Sequence, residues 1–171
     1  MARAVFLDRD GVINEKASLH EYVTKWEDFK FLPGVLESLR RLAGTKYRIV
    51  ITTNQRGIAR GKMDESRLKE IHKRMLKEIT KTGGRVDRVY YCPHNYGECD
   101  CRKPSPGMLD RAREEMGIDL RRSWVIGDSE EDVALGRARG CRTIYLGEKN
   151  INADYHPKSF MGAVDIILSF P

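Results

Sequence analysis

Two acids one residue apart, Asp8 and Asp10, with Gly11 behind them, are the first residues whose types and spacing suit chemistry. They follow the short apolar run Ala4 to Leu7, which fits a buried strand. A glycine turn at the C-terminal end of such a strand sets two carboxylates at different angles to one ligand, so that one acid can attack while the other moves protons. Asp-x-Asp-Gly alone reads equally as an acidic turn, because these are ordinary turn residues. Three later stretches weigh on the choice. Thr52-Thr53-Asn54-Gln55 ends a second apolar run, Arg102-Lys103-Pro104 follows a cysteine-rich segment, and a further run ends in Gly127-Asp128-Ser129-Glu130-Glu131-Asp132. A phosphate monoester dianion repels a carboxylate nucleophile, so attack on phosphorus needs a divalent cation and fixed positive groups. Mg²⁺ prefers oxygen donors; Asp8, a main-chain carbonyl near Asp10, and Asp128 suit it better than any cysteine or histidine.

A second constellation is Cys92, His94, Cys99 and Cys101. Three thiolates and an imidazole make a tetrahedral zinc set that leaves no position for water, which marks a structural Zn²⁺. Incidental loop cysteines are the alternative, and the crowding of four soft donors within ten residues speaks against it. The spacing lacks the long Cys-to-His interval and intervening helix of a DNA-reading finger. The loop runs straight into Arg102 and Lys103, so folding around a metal would hold those cations over the site. Cys141 stands apart and is expected to be a buried thiol.

The elements that must position these groups alternate. Strands are expected at 4–7, 47–52, 86–91, 124–126 and 142–146, with a last short edge strand at 164–168. Helices are expected from Pro33-Gly34 to about Gly44, from an Asp64 N-cap to about Lys81, from Pro106 to Gly117, and over 130–139. The stretch from Val12 to Phe31 is irregular in pattern and reads as a flap beside the site. The pattern predicts an α/β fold: a three-layer, Rossmann-like, mostly parallel sheet with helices on both faces. Neither interval between the chemical stretches has room for a cap domain. One domain over 1–171, with a small zinc loop at 92–101, is expected.

Composition agrees. The 171 residues are 40% hydrophobic and 33% charged, a globular balance. No apolar run approaches the roughly 20 residues of a membrane span, and the first residues show no signal-peptide pattern, so a cytoplasmic protein is expected. A formal charge of +6 and pI near 9.2 bias the chain towards anionic substrates. A nucleic-acid module is not expected, since the basic residues are dispersed among 25 acids and form no run interleaved with aromatics.

Asp-x-Asp-Gly, a strand-terminal Thr, a Lys and Gly-Asp-x-x-x-Asp, in that order, resemble the four-part signature of the haloacid dehalogenase superfamily, mostly Mg²⁺-dependent phosphotransferases. The resemblance implies that Asp8 is the nucleophile and Asp10 the general acid and base. It implies that Thr53 and Lys103 stabilise the phosphoryl group, that Asp128 completes the Mg²⁺ site, and that Asp132 orients rather than ligates. An acid at position 10, where ATPases carry Ser or Thr, favours phosphatase chemistry. The zinc loop joined to Cys-Arg-Lys-Pro-x-Pro-Gly-Met, with Asn-Gln-x-Gly-Ile-Ala-Arg-Gly at 54–61, resembles the D-glycero-D-manno-heptose 1,7-bisphosphate 7-phosphatase branch over about residues 4–147. Histidinol-phosphate phosphatases are its nearest relatives. That resemblance implies substrate contacts at Asn54, Gln55, Arg56 and Arg102, with Ser129 beside Asp128. Arg60 reads equally as a surface residue or a phosphate ligand, and Arg9 as structural or sugar-positioning. Three features depart from the pattern: Arg56 replaces a small residue, only four residues separate His94 from Cys99, and Glu15-Lys16-Ala17-Ser18, a candidate for substrate contact, stands where the usual flap motif would. The implied reaction is removal of the 7-phosphate of the heptose bisphosphate through an aspartyl-phosphate, with histidinol phosphate or another small sugar or polyol phosphate as the alternative substrate. A monomer acting on a small phosphorylated sugar is expected.

Overall fold

Five short apolar segments become strands: β1 Ala4–Leu7, β2 Arg48–Asn54, β3 Arg88–Cys92, β4 Trp124–Gly127 and β5 Arg142–Tyr145. They pair in the order β3-β2-β1-β4-β5, and each neighbouring pair is parallel, where a mostly parallel sheet was expected. The computed structural model describes residues 1–149 and 151–170. Parallel neighbours require crossovers, and helices α1 Val35–Ala43, α2 Glu65–Lys81, α3 Gly107–Met116 and α4 Glu130–Arg137 supply them.

Side chains alternate across a strand, so β1 faces two cores. Val5 and Leu7 join Ile49, Ile51 and Ile126 beneath α1 and α2. Ala4 and Phe6 join Val50 and Val125 beneath α3 and α4, which contribute Met108, Leu109 and Leu135. Helix ends follow the local chemistry. The Asp64 side chain accepts from the Arg67 N–H at the start of α2, and Gly117 closes α3 with a left-handed φ of 63°.

The expected edge strand at 164–168 is instead part of a fifth helix, α5 Phe160–Leu168, capped by the Ser159 hydroxyl. Phe160, Ala163, Val164 and Ile167 are its buried residues, at helical spacing, and it packs against α1. A short apolar run does not distinguish a buried helix from a strand, and the choice is made by the sheet face that needs covering. β2 and β3 also run one or two residues further than expected, which places Thr53 and Asn54 in the ladder opposite Tyr91 and Cys92. The stretch 12–31 is irregular as expected, with one 3₁₀ turn at Trp26–Asp28. It is pinned by buried Val12, Ile13, Val23 and Phe29. Among the described residues no helix is long and apolar enough to cross a membrane.

The strand order runs outward from β1 to β3 and then crosses to β4 and β5 on the other side. The loops after β1 and β4 therefore diverge, opening the crevice where open α/β sheets bind ligands. Leu7 pairs with Ile51 on one side and Ile126 on the other, so Asp8, Thr52 and Gly127 sit at one level at the mouth of that crevice.

Candidate active site

Lys103 anchors the site. It is 4% exposed, and its Nζ donates to Asp8 Oδ1 at 2.9 Å, Asp132 Oδ1 at 2.7 Å and the Thr52 carbonyl at 3.0 Å. Its main chain is clamped by one side chain: the Lys103 N–H donates to Asn54 Oδ1 at 3.0 Å, and Asn54 Nδ2 donates to the Lys103 carbonyl at 3.3 Å. Burial alone would lower the Lys103 pKa, but the charges of Asp132 and Asp8 raise it well above the usual range, so it stays an ammonium.

Asp10 stands beside Asp8 in a different environment. Its Oδ1 accepts from Arg9 Nη2 and Asn14 Nδ2, both at 2.9 Å, and its Oδ2 accepts from Gln55 Nε2 at 3.0 Å. Gln55 Nε2 also donates to Thr53 Oγ1 at 2.8 Å. Burial would raise the Asp10 pKa, but the Arg9 charge and these hydrogen bonds bring it below the usual carboxylate value. Arg9, 1% exposed, reaches back to His72 Nε2 at 3.1 Å on α2. Burial and the Arg9 charge hold His72 neutral, with a pKa down to about 3, so Nε2 accepts from Arg9.

The acids of the site outnumber their cations. Carboxylate oxygens of Asp8, Asp128 and Asp132 lie within 4.8 Å of one another. Burial pushes Asp8 up to about 8 against the pull of Lys103, and Asp132, Asp128 and Asp10 add to the rise. Burial likewise raises Asp128 against the pull of Lys16. Asp128 Oδ1 is buried with no hydrogen-bond partner, while Oδ2 pairs with Lys16 Nζ at 2.6 Å. An orphaned buried carboxylate oxygen facing an acid cluster fits a hard divalent cation, which would return Asp8 to the ionised state a nucleophile requires. Asp132 fits less well as a ligand. Its Oδ1 is held by Lys103 and its Oδ2 accepts from the Ser129 hydroxyl at 2.6 Å in the capping box of α4. The Asp10 carboxyl accepts from Arg9, Asn14 and Gln55, so its main chain suits a metal better than its side chain does.

Around the next loop Cys92, His94, Cys99 and Cys101 converge. Neighbouring donor atoms are 3.3–3.6 Å apart. Metal bonds of about 2.0–2.3 Å give tetrahedral edges of roughly 3.3–3.8 Å, so the four fit Zn²⁺. Burial and the adjacent sulfurs push Cys101 far up; burial opposes but Cys101 and Cys92 hydrogen bonds bring Cys99 down to about 7. Thiols so close do not ionise together unless a cation lies among them. Gly107, the first residue of α3, has no side chain because a Cβ there would strike the Asp100 carbonyl, and its N–H donates to that carbonyl at 3.2 Å. The loop is thereby seated on α3 at Asp100, three residues before Lys103.

Sequence-expected contacts divide. Asn54, Gln55 and Ser129 are engaged in positioning Lys103, Asp10 and Asp132. Arg56 and Arg102 meet over the Tyr96 ring, 4.3 and 4.2 Å from its centroid, and Arg56 Nε donates to Asn95 Oδ1 at 2.6 Å. Arg102 Nε and Nη1 are buried without partners. Arg60 is exposed and takes part in none of these hydrogen bonds. A cavity of about 260 Å³ lies between residues 16–23 and Asp10, Asn54 and Gln55. Sequence reasoning passed over Asn14, His72 and Tyr96. Only His72 carried a signal: it follows Leu68 by four positions on the buried face of α2.

Asp8 after a strand, Asp10 two residues on, buried Lys103 and strand-end Asp128 on a 3-2-1-4-5 parallel sheet are the arrangement of a hydrolase of the haloacid dehalogenase type. Residues 100–158 match the family model described as HAD-hydrolase-like. The D-glycero-alpha-D-manno-heptose-1,7-bisphosphate 7-phosphatase of Campylobacter jejuni is 43% identical over 84% of this chain and 81% of its own. The D-glycero-beta-D-manno-heptose-1,7-bisphosphate 7-phosphatase of Vibrio cholerae is 44% identical over 84% of this chain and 80% of its own. The crystal structure of D,D-heptose 1,7-bisphosphate phosphatase from B. bronchiseptica, complexed with magnesium and phosphate, superposes with a TM-score of 0.91 at 29% identity, covering 99% of both chains. The chain belongs to the family of D-glycero-D-manno-heptose-1,7-bisphosphate 7-phosphatases.

Proposed function

We propose that this protein is a Mg²⁺-dependent phosphatase that removes the 7-phosphate of D-glycero-D-manno-heptose 1,7-bisphosphate, working as one domain and as a monomer. The observation that carries the reading is the Lys103 ammonium held between Asp8 and Asp132, with Asp128 in the same acid cluster and Asp10 beside it.

Asp8 attacks phosphorus and forms the aspartyl-phosphate, while Lys103 and the Thr53 hydroxyl offset the charge of the transferring group. The donors around Asp10 keep it ionised in the free site; an arriving phosphate dianion raises its proton affinity towards the acid form that the leaving C7 alkoxide needs. With the alcohol gone, the Asp10 carboxylate takes a proton from water, which attacks the aspartyl-phosphate and regenerates Asp8. Asp8 and Asp128, with a main-chain carbonyl near Asp10, would hold Mg²⁺, which when bound neutralises phosphoryl charge and keeps Asp8 ionised. Cys92, His94, Cys99 and Cys101 would hold a structural Zn²⁺ that fixes the approach to Lys103. Arg102 and Arg56 stand at the rim as cations for the phosphate that is not cleaved. Relatives named for either anomer match at nearly the same identity, so the C1 configuration is a question for assay.

The test is ³¹P NMR of the purified enzyme with the bisphosphate and Mg²⁺. Loss of the C7 resonance with the C1 resonance intact, abolished in Asp8→Asn, is expected. Loss of the C1 phosphate, or faster turnover of histidinol phosphate, rejects the substrate.

A further inference from the structure

Lys16 lies outside the residues assigned to the reaction, yet its 2.6 Å pair with Asp128 Oδ2 is shorter than either ion pair of Lys103. Its approach is built into the fold. Lys16 Cε passes over Gly11, where φ is +90° and a Cβ would strike both Lys16 Cε and the Asp128 carboxylate. The Lys16 side chain is 52% exposed, whereas that of Asp128 is 14% exposed. It lines both the cavity of about 260 Å³ beside Asp10 and a neighbouring one of about 590 Å³ beside Asp128 and Ser129. The ammonium end is thus fixed on a buried acid while the backbone that carries it belongs to the irregular stretch over the site. An ammonium and a divalent cation are alternative neutralisers of one carboxylate, and an ammonium on Oδ2 draws off charge that Oδ1 would otherwise offer a metal.

We propose that Lys16 is a tethered counter-cation that competes with the divalent metal for Asp128, and that metal binding loosens the exposed residues between the buried Ile13 and Val23 anchors at the mouth of the site. The inference rests on the reading of Asp8 and Asp128 as Mg²⁺ ligands. Metal occupancy then opens the two cavities to each other before the sugar arrives, so a substrate meets an open mouth only on a loaded enzyme.

Calorimetric titration of Mg²⁺ into substrate-free wild type, Lys16→Met and Lys149→Met tests this, with hydrogen exchange of 15–23 followed in parallel. Lys149 lines the same larger cavity, so its loss removes a similar charge without removing the pair with Asp128. Lys16→Met is expected to bind Mg²⁺ about fivefold more tightly, the scale of a partly exposed ion pair, with Lys149→Met near wild type. Exchange at 15–23 is expected to rise with Mg²⁺ in wild type and to be high without metal in Lys16→Met. Equal or weaker binding by Lys16→Met, equal tightening by Lys149→Met, or exchange at 15–23 that ignores Mg²⁺ overturns the competition. Failure of wild type and both variants to bind Mg²⁺ overturns the site reading itself.

Discussion

Lys103 Nζ has three acceptors and no water-facing side, so its contribution is governed by burial. Replacing it by Met leaves Asp8 and Asp132 as uncompensated buried carboxylates, which is expected to cost about 3–5 kcal/mol of stability along with activity. Urea unfolding with and without Mg²⁺ checks this; a variant as stable as wild type without metal contradicts it. His72 makes a second prediction. Its folded pKa of about 3 lies below the ordinary imidazole value of 6.5, so the unfolded chain takes up its proton first as pH falls. The stability from neutral His72 is complete above pH 6.5 and is lost as pH drops towards 3. Between pH 7 and 5 wild type should lose about 2 kcal/mol more than His72→Gln, whose amide still offers Arg9 an acceptor. Parallel urea curves for the two proteins would show that Arg9 does not depend on a neutral imidazole.

At the scale of elements, the 92–101 loop is a short irregular segment whose order comes from its four soft donors and from its seat against Gly107. It is expected to bind one Zn²⁺ per chain and to give a tetrahedral spectrum with Co²⁺. Thiol reagents should find Cys92, Cys99 and Cys101 unreactive until a strong chelator is added. Cys141, buried on the α3 and α4 side of the sheet, should react only on unfolding. Removal of Zn²⁺ with Mg²⁺ then resupplied should lower kcat while leaving most of the sheet's circular dichroism, because the loop leads into Arg102 and Lys103 and touches the core only through its cysteines at one end of the sheet. Full activity in a chelated, metal-analysed sample would remove the loop from the site.

For the whole molecule, the sheet is sealed on both sides, and α5 completes one of them. Trp124 meets Phe170 edge to face at 5.1 Å and Tyr155 at 5.7 Å, and its Nε1 reaches the Tyr47 hydroxyl at 3.3 Å. Removing this cover uncovers β1 and β4, the two strands that deliver Asp8 and Asp128. Ile167→Ala, at a fully buried position of α5, is expected to cost about 2–5 kcal/mol through the cavity it leaves. Thermal unfolding measures the loss. A change near zero would mean α5 is peripheral to the fold.

Asp8, Asp10, Thr53, Lys103 and Asp128 are legible in one dimension because Asp8 and Asp128 directly follow a strand, Asp10 stands two residues past Asp8 and Thr53 lies one residue from the end of β2. A parallel sheet sends every strand end to one edge, so order along the chain becomes proximity in space. The zinc ligands are legible because all four lie within a single loop. The helical nature of 160–168 is not legible in that way: its apolar run is short, and the uncovered sheet face is what selects a helix. Nor are the contacts that tune the acids. Arg9 with His72 spans 63 residues and Asn54 with Lys103 spans 49, and a hydrogen bond between distant residues leaves no period or spacing behind. Residue types and their order determine which atoms do the chemistry here; tertiary packing alone decides their protonation and aim, because both depend on burial and on neighbours the chain brings in from afar.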